Sequence, residues 1–253
     1  MCYHTAMNIF LLILPIALGW LAGYLVNYLA DVLPVTRRFS QPLCPRCAQA
    51  LPWKDYLLLR GCPACGWKRS KRTLITQAVM LGGSIYLWLH TPARLNYPLA
   101  LLLLTWLGVV FVIDMEHRLI LHPVSITGAL LGFGTGWYAH GWKPTLLGGA
   151  FGFGVMLIFY FLGEVFARWM SKRRGEEIEE VALGFGDVNL CGITGLLLGW
   201  PVILAGLLFT IFAGGIASLL VIVTLTLRKR YQAFTPIPYA PFLILAILFY
   251  LFR

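Results

Sequence analysis

Gly184-Phe185-Gly186-Asp187-Val188-Asn189-Leu190 opens a run in which no charged side chain recurs until Arg228. The uncharged part, Val188 to Leu227, is forty residues long, about twice what one bilayer crossing needs. Gly199-Trp200-Pro201 interrupts it, so the run predicts two membrane helices with Asp187 at the mouth of the first. An ionisable group at the edge of an apolar run is a functional candidate by default. The plainer reading is an acid that complements a helix N-terminal dipole. A second acid at the same membrane depth would decide between the two.

Composition gives the same class. Apolar residues make up 59% of the 253 positions, and mean hydropathy is +0.79. Charged residues are 12%, against roughly 25% in soluble domains. The 26 glycines fit membrane helices that approach closely. A net charge of +10 would suggest nucleic acid for a soluble chain; here it reads as basic cytoplasmic loops, with the lipid bilayer as the partner and no nucleic acid.

Before this run, Ile9 to Ala30 is a first uncharged stretch of 22 residues. With no basic region before it and no A-x-A site after it, it reads as a retained helix and not a cleaved signal. Asn27 within it is expected to face other helices. The polar segment from Asp31 to about Arg72 follows, holding nine of the twenty Lys and Arg residues. It contains Cys44-Pro45-Arg46-Cys47 and, after fourteen intervening residues, Cys62-Pro63-Ala64-Cys65-Gly66. Two such knuckles suit tetrahedral Zn2+, because each tight turn aims two thiolates at one ion and Gly66 eases the second turn. Four thiolates leave no open position for water, so the zinc is structural and gives a short loop a fold its small core could not build. Two disulfides, or a coincidence of cysteines, are the alternatives. Cys2 and Cys191 lie outside the pattern and read as packing thiols.

Apolar runs then recur at Leu74 to His90, Leu95 to Ile113, Val124 to Tyr138, Leu146 to Phe166, the two halves of Val188 to Leu227, and about Pro236 to Phe252. Eight crossings result. With the cysteine loop in the cytoplasm, seventeen Lys and Arg residues fall on that side and only Arg94, Lys143 and Arg253 on the other. This asymmetry orients the chain with both termini outside the cytoplasm. A reducing cytosol also favours zinc over disulfides. In the same topology the helix ending at Asp114 runs inward and the helix starting at Asp187 runs outward, so both acids fall at the cytoplasmic level. Two carboxylates that approach there would share one proton, the working state of an aspartic protease dyad. Gly184 and Gly186 would let an extended substrate come close to the backbone. Other acids are poorer partners: Asp31 and Asp55 belong to the loop, Glu176, Glu177, Glu179 and Glu180 form a solvated run, and Glu116 and Glu164 are of the kind usually paired to an arginine.

These residues resemble the type IV prepilin peptidases, membrane aspartic proteases of the G-x-G-D kind. The stretch from Gly23 to Pro34 is similar to the family's first-helix ending, G-S-F-L-N-x-x-x-x-R-L-P. The paired Cys-x-x-Cys motifs resemble its zinc loop, Ile113-Asp114-Met115-Glu116-His117 its first catalytic segment, and Gly184-Phe185-Gly186-Asp187-Val188 its second. Ile237-Pro238-Tyr239-Ala240-Pro241-Phe242 resembles its I-P-F-G-P-F. The resemblance implies a bacterial inner-membrane endopeptidase that removes the basic leader of pilin-like precursors at the cytoplasmic face, with Asp114 and Asp187 as the catalytic pair. Many members also methylate the new N-terminus with S-adenosylmethionine. Arg72-Thr73-Leu74-Ile75-Thr76-Gln77 stands where those members read R-Y-P-x-V-E, so Gln77 replaces the Glu and leaves methyl transfer open. Tyr24, Val32, Ile120-Leu121-His122, Asn189 and Ala240 are further departures, and none touches the two aspartates or the four cysteines.

The expectation is an all-α polytopic membrane protein of about eight transmembrane helices with a small cytoplasmic zinc-binding loop. Its parts are a first helix (residues 1–30), a tetra-Cys loop (31–73) and a membrane-embedded peptidase domain (74–253). Two other classes compete. One is a non-enzymatic zinc-loop scaffold of a pilus or secretion assembly, and the other a proton-coupled transporter, which would place its acids nearer the midplane. Gly148-Gly149-Ala150-Phe151-Gly152-Phe153-Gly154 lacks the Lys of a phosphate loop and reads as helix packing. Trp137, Tyr138 and Trp142 read as an interfacial belt, Lys172-Arg173-Arg174 as a contact with anionic lipid, and His117 and Glu116 either as groups that tune the dyad or as an interfacial pair stabilised by Arg118.

Overall fold

A computed structural model of the chain describes residues 2–174, 184–228 and 239–252. Glu176 to Glu180 and the Ile237-Pro238 pair lie outside the described residues. Among those described, the protein is all-α, with one isolated bridge between Leu43 and Ala50. The helices are α1 (Cys2–Thr36), α2 (Trp53–Leu57), α3 (Lys71–Leu89), α4 (Tyr97–His117), α5 (His122–His140), α6 (Trp142–Arg174), α7 (Phe185–Leu198), α8 (Val202–Leu227) and α9 (Ala240–Leu251). Apart from the short α2, each falls on one of the expected apolar runs. Among the described residues, four segments are long and apolar enough to cross a bilayer by length and composition: Leu12–Thr36, Tyr97–His117, Trp142–Phe166 and Val202–Leu227. The chain is a multi-pass membrane protein.

Two helices, α1 and α6, run furthest past their expected ends. The first continues through Pro34 to Thr36, so Asp31 is helical and not part of the loop. Thr36 Oγ1 bonds the Val32 carbonyl at 2.9 Å, and Arg37, at φ 54°, turns the chain out of the helix. The sixth continues to Arg174 through residues expected to be loop. Arg168 in this extension pairs back to Glu164 at 3.0 Å with the i, i+4 spacing that supports a helix.

The chain divides into two compact units, Met1–His117 and Arg118–Arg253. In the first, α1 packs on α3 and α4, and α3 on α4. Close approach rests on small residues: a Cβ on Gly19 would lie 2.6 Å from Ser84 Cβ, and one on Gly108 would lie 3.2 Å from Val26 Cγ2. Ser84 Oγ donates to the Pro15 carbonyl at 2.6 Å and meets Tyr97 OH at 2.8 Å, so these buried hydroxyls are satisfied between helices. The cysteine loop packs on the C-terminal half of α1 through Tyr24 and Tyr28 and so belongs to this unit.

In the second unit α7 is central, packing against α5, α6, α8 and α9. Its 14 residues span about 21 Å, short of the roughly 30 Å hydrocarbon core. It is buried along most of its length, with Val188, Leu190, Cys191 and Leu197 fully so, which is the environment of a helix enclosed by protein. The glycine-rich face of α6 is why α7 can approach it. A Cβ on Gly148 would strike the Gly195 carbonyl and sit 2.8 Å from Gly199 Cα, and one on Gly152 would lie 2.6 Å from the Cys191 carbonyl. The helix-packing reading of that stretch holds. The break at Gly199-Trp200-Pro201 also holds: Gly199 takes φ 69°, and Trp200 N donates to Pro144 O at 2.9 Å.

Candidate functional site

The cysteine loop is built from two similar turns. In the first, Ala48 N donates to Cys44 O and Cys44 N to Gln49 O, both at 2.8 Å; in the second, Gly66 N donates to Cys62 O at 3.0 Å and Cys62 N to Trp67 O at 2.8 Å. Each turn needs one left-handed residue at the same place, supplied by Ala48 (φ 56°) and Gly66 (φ 67°). The turns bring the four sulfurs within 4.8 Å of one another. Cys44 Sγ lies 3.6 Å from Cys65 Sγ, and Cys47 Sγ lies 3.7 Å from Cys62 Sγ. A tetrahedron with Zn–S bonds of about 2.3 Å has edges of about 3.8 Å, so the spacing suits one ion. The four cysteines are free thiols, so each offers a sulfur to the same ion. Burial opposes ionisation of Cys44, but the N–H groups of Cys47 and Arg46 and the neighbouring thiols outweigh it and draw it down to about 6. Cys47 gains a bond from Gln49 N–H, yet burial and the other three thiols push it up to about 12. One thiolate forms readily and suppresses the next, a conflict that a divalent cation removes.

Beside the loop lies a network that joins it to three helices. Asp31, on α1, accepts from Tyr56 OH at 2.6 Å, pairs with Arg72 and lies 3.7 Å from Arg69 Nη1. Arg72, in the first turn of α3, also donates to Asn27 Oδ1 at 3.0 Å and to Glu116 Oε1, on α4, at 2.9 Å. Asn27 Nδ2 donates to the carbonyls of Gly23 (3.0 Å) and Thr73 (3.2 Å), so this amide does face other helices. Glu116 takes Arg72 as its partner and not the expected Arg118, which sits past the helix end at φ 53°. Burial and then the charge of Asp31 raise the Tyr56 phenol well above its ordinary value, so it stays a donor. Arg69 lies over the Tyr56 ring at 3.9 Å, with its side chain 5% exposed. Its Nε and Nη2 have no hydrogen-bond partner among the described residues. It lines a cavity of about 440 Å³ together with Asp31, Ser70, Arg72 and His117. Asn27 stood out by its place in an apolar run and Arg72 by the family resemblance, whereas Asp31 was assigned only to the loop and Arg69 was missed; the lone acid just past an apolar run was the available signal for Asp31.

Asp114 occupies the last turn of α4 and is 5% exposed, while its neighbours Met115 and Glu116 are exposed. It therefore projects from the buried side of an otherwise apolar helix. Asp187 is half-buried in the first turn of α7, its N–H donating to Gly184 O at 3.0 Å. A carboxylate there also complements the helix dipole. Gly184, the residue before α7, is extended and exposed. Gly186 has a definite steric need, since a Cβ would lie 2.8 Å from Ile120 Cβ. Asp114 belongs to the first compact unit and Asp187 to the second. The other described acids are tied to arginine: Asp31 to Arg72 and Arg69, Asp55 to Arg60, Glu116 to Arg72 and Glu164 to Arg168.

Residues 101–219, a span that includes Asp114 and Asp187, match the sequence profile of the type IV leader peptidase family. Two curated relatives are each described as prepilin leader peptidase/N-methyltransferase. That of Pseudomonas aeruginosa is 30% identical over 213 residues, covering 80% of this chain and 68% of the relative. That of Stutzerimonas stutzeri is 30% identical over 214 residues, with the same coverage of 80% and 68%. No solved structure matches. Identity sustained over 80% of the chain exceeds what a shared apolar composition produces, and the chain belongs to the type IV leader peptidase family.

Proposed function

We propose that the protein is an aspartic endopeptidase that removes the leader of pilin-like precursors at the cytoplasmic face of the bacterial inner membrane, with Asp114 and Asp187 as its dyad. The observation that carries this reading is the buried Asp114 at the end of an apolar helix, within the family-matched span that also holds Asp187. One carboxylate takes a proton from the attacking water and the other donates one to the peptide carbonyl. Asp31, Asp55, Glu116 and Glu164 serve structure through their arginines. Asp114→Asn and Asp187→Asn should each abolish cleavage of a co-expressed precursor without lowering protein level, and continued processing by either variant would remove that residue from the dyad.

The four thiols fit Zn2+, which would cross-link the two turns and fix the loop against α1. Its role is structural, and no catalytic step passes through it. Methylation of the new N-terminus is a second reading, favoured by the names of both relatives and by the unpartnered guanidinium nitrogens of Arg69 beside a cavity. S-adenosylmethionine supplies an electrophilic methyl group, and its carboxylate suits Arg69 Nε and Nη2. Gln77 Nε2 donates to Trp20 O at 2.8 Å, a bond that an ionised Glu could not make. Mass spectrometry of the cleaved product reports the cut site and any added methyl group together.

A further inference from the structure

An open groove of about 460 Å³ lies in the second unit between α5, α6 and α7. One end is polar, with His122 and Ser125 from the first turns of α5 and Asn189 from the first turns of α7. The other end is apolar, with Ala129, Ala150, Ile193 and Leu196. Ser125 is 8% exposed, and its Oγ has no hydrogen-bond partner among the described residues. A buried hydroxyl without a partner is costly, and an acyl chain resting in the groove would offer it none. The polar end is the α7 end nearest Asp187, which lies two residues before Asn189.

We propose that this groove is the seat for the first turns of the precursor's apolar helix, just after the cut. The inference rests on the leader-peptidase reading given above. The gradient of the groove matches that of such a substrate, polar at the scissile bond and apolar beyond it. A helix that starts at the cut exposes N–H groups with no partner of their own in its first turn. Ser125 Oγ and Asn189 Oδ1 are acceptors placed to take those bonds, and the apolar end receives the side chains that follow. Ser125 and Asn189 are thus specificity residues that select a helix beginning at the cleavage site.

The test uses full-length Asp187→Asn enzyme in phosphatidylethanolamine–phosphatidylglycerol vesicles, with a photoreactive phenylalanine replacing Ile126, an exposed residue of the groove. A control carries the same replacement at Leu147, which is exposed outside it. Illumination with added precursor should label the first turns of its apolar segment at least fivefold more from position 126 than from 147. In the active enzyme, Ala129→Phe should raise KM at least fivefold and Ser125→Ala about threefold, with kcat within twofold. Labelling of lipid chains alone, or unchanged KM in Ser125→Ala while the wild type cuts normally, would overturn the groove. Capture does not require turnover. A wild-type chain that fails to cut but labels the precursor from position 126 removes the peptidase reading and leaves the groove.

Discussion

Arg72 is the residue on which the loop-side network turns, because its guanidinium reaches Asn27, Asp31 and Glu116 on two different helices. Replacing it (Arg72→Met) leaves the half-buried Asp31 and the buried Asn27 with fewer donors and should cost about 1–3 kcal/mol, read as a lower unfolding temperature in detergent. Glu116→Gln keeps an acceptor for Arg72 and should cost less than half as much. Part of this was legible: an amide such as Asn27 inside an apolar run must find a protein partner, and it does. The partner of Glu116 was not legible, because adjacency pointed to Arg118, whereas the turn after α4 carries Arg118 away and folding delivers Arg72 from 44 positions earlier. Arg69 was hidden for a related reason, since its burial depends on the Tyr56 ring and not on any local pattern.

At the scale of elements, two devices hold the structure, and each has its own test. Paired knuckles predict that the double variant Cys44→Ser, Cys47→Ser loses its metal, falling from about one Zn2+ per chain to near zero by elemental analysis of purified protein. An unaltered stoichiometry would reject the site. The glycine face of α6 predicts that Gly148→Ala is destabilised by about 1–3 kcal/mol in thermal unfolding, because its Cβ meets the backbone of α7 and Gly199. Gly154→Ala, where nothing lies within 4 Å, should stay within about 1 kcal/mol of wild type. Both devices were readable from spacing, since cysteine knuckles and small-residue faces act through neighbours in sequence. Helix ends were less so: α1 outlasts the apolar run because Thr36 and Arg37 close it, and α6 outlasts its run because Glu164 and Arg168 support another turn.

For the whole molecule, the distribution of seventeen basic residues against three predicts the orientation. A green fluorescent protein joined after Leu58 should fluoresce and alkaline phosphatase joined after Gly141 should be active; the reverse pattern would invert the topology and take the acids off the cytoplasmic face. The helical membrane class was legible from the forty uncharged residues after Asp187, because only a helix can satisfy that backbone in lipid. What could not be read was that α7 is enclosed by protein, since an apolar helix in lipid and one in a core have the same composition. Nor could the groove beside it, which depends on three helices meeting. The central claim is that Asp114 and Asp187 form one catalytic pair. Its most direct test is cleavage of a purified pilin-like precursor by the wild-type, Asp114→Asn and Asp187→Asn enzymes, followed by mass spectrometry of the product. The account predicts one cut just before the apolar helix by the wild type and at least about a 100-fold loss of rate in each variant at equal protein level; cutting by either variant near the wild-type rate would contradict it.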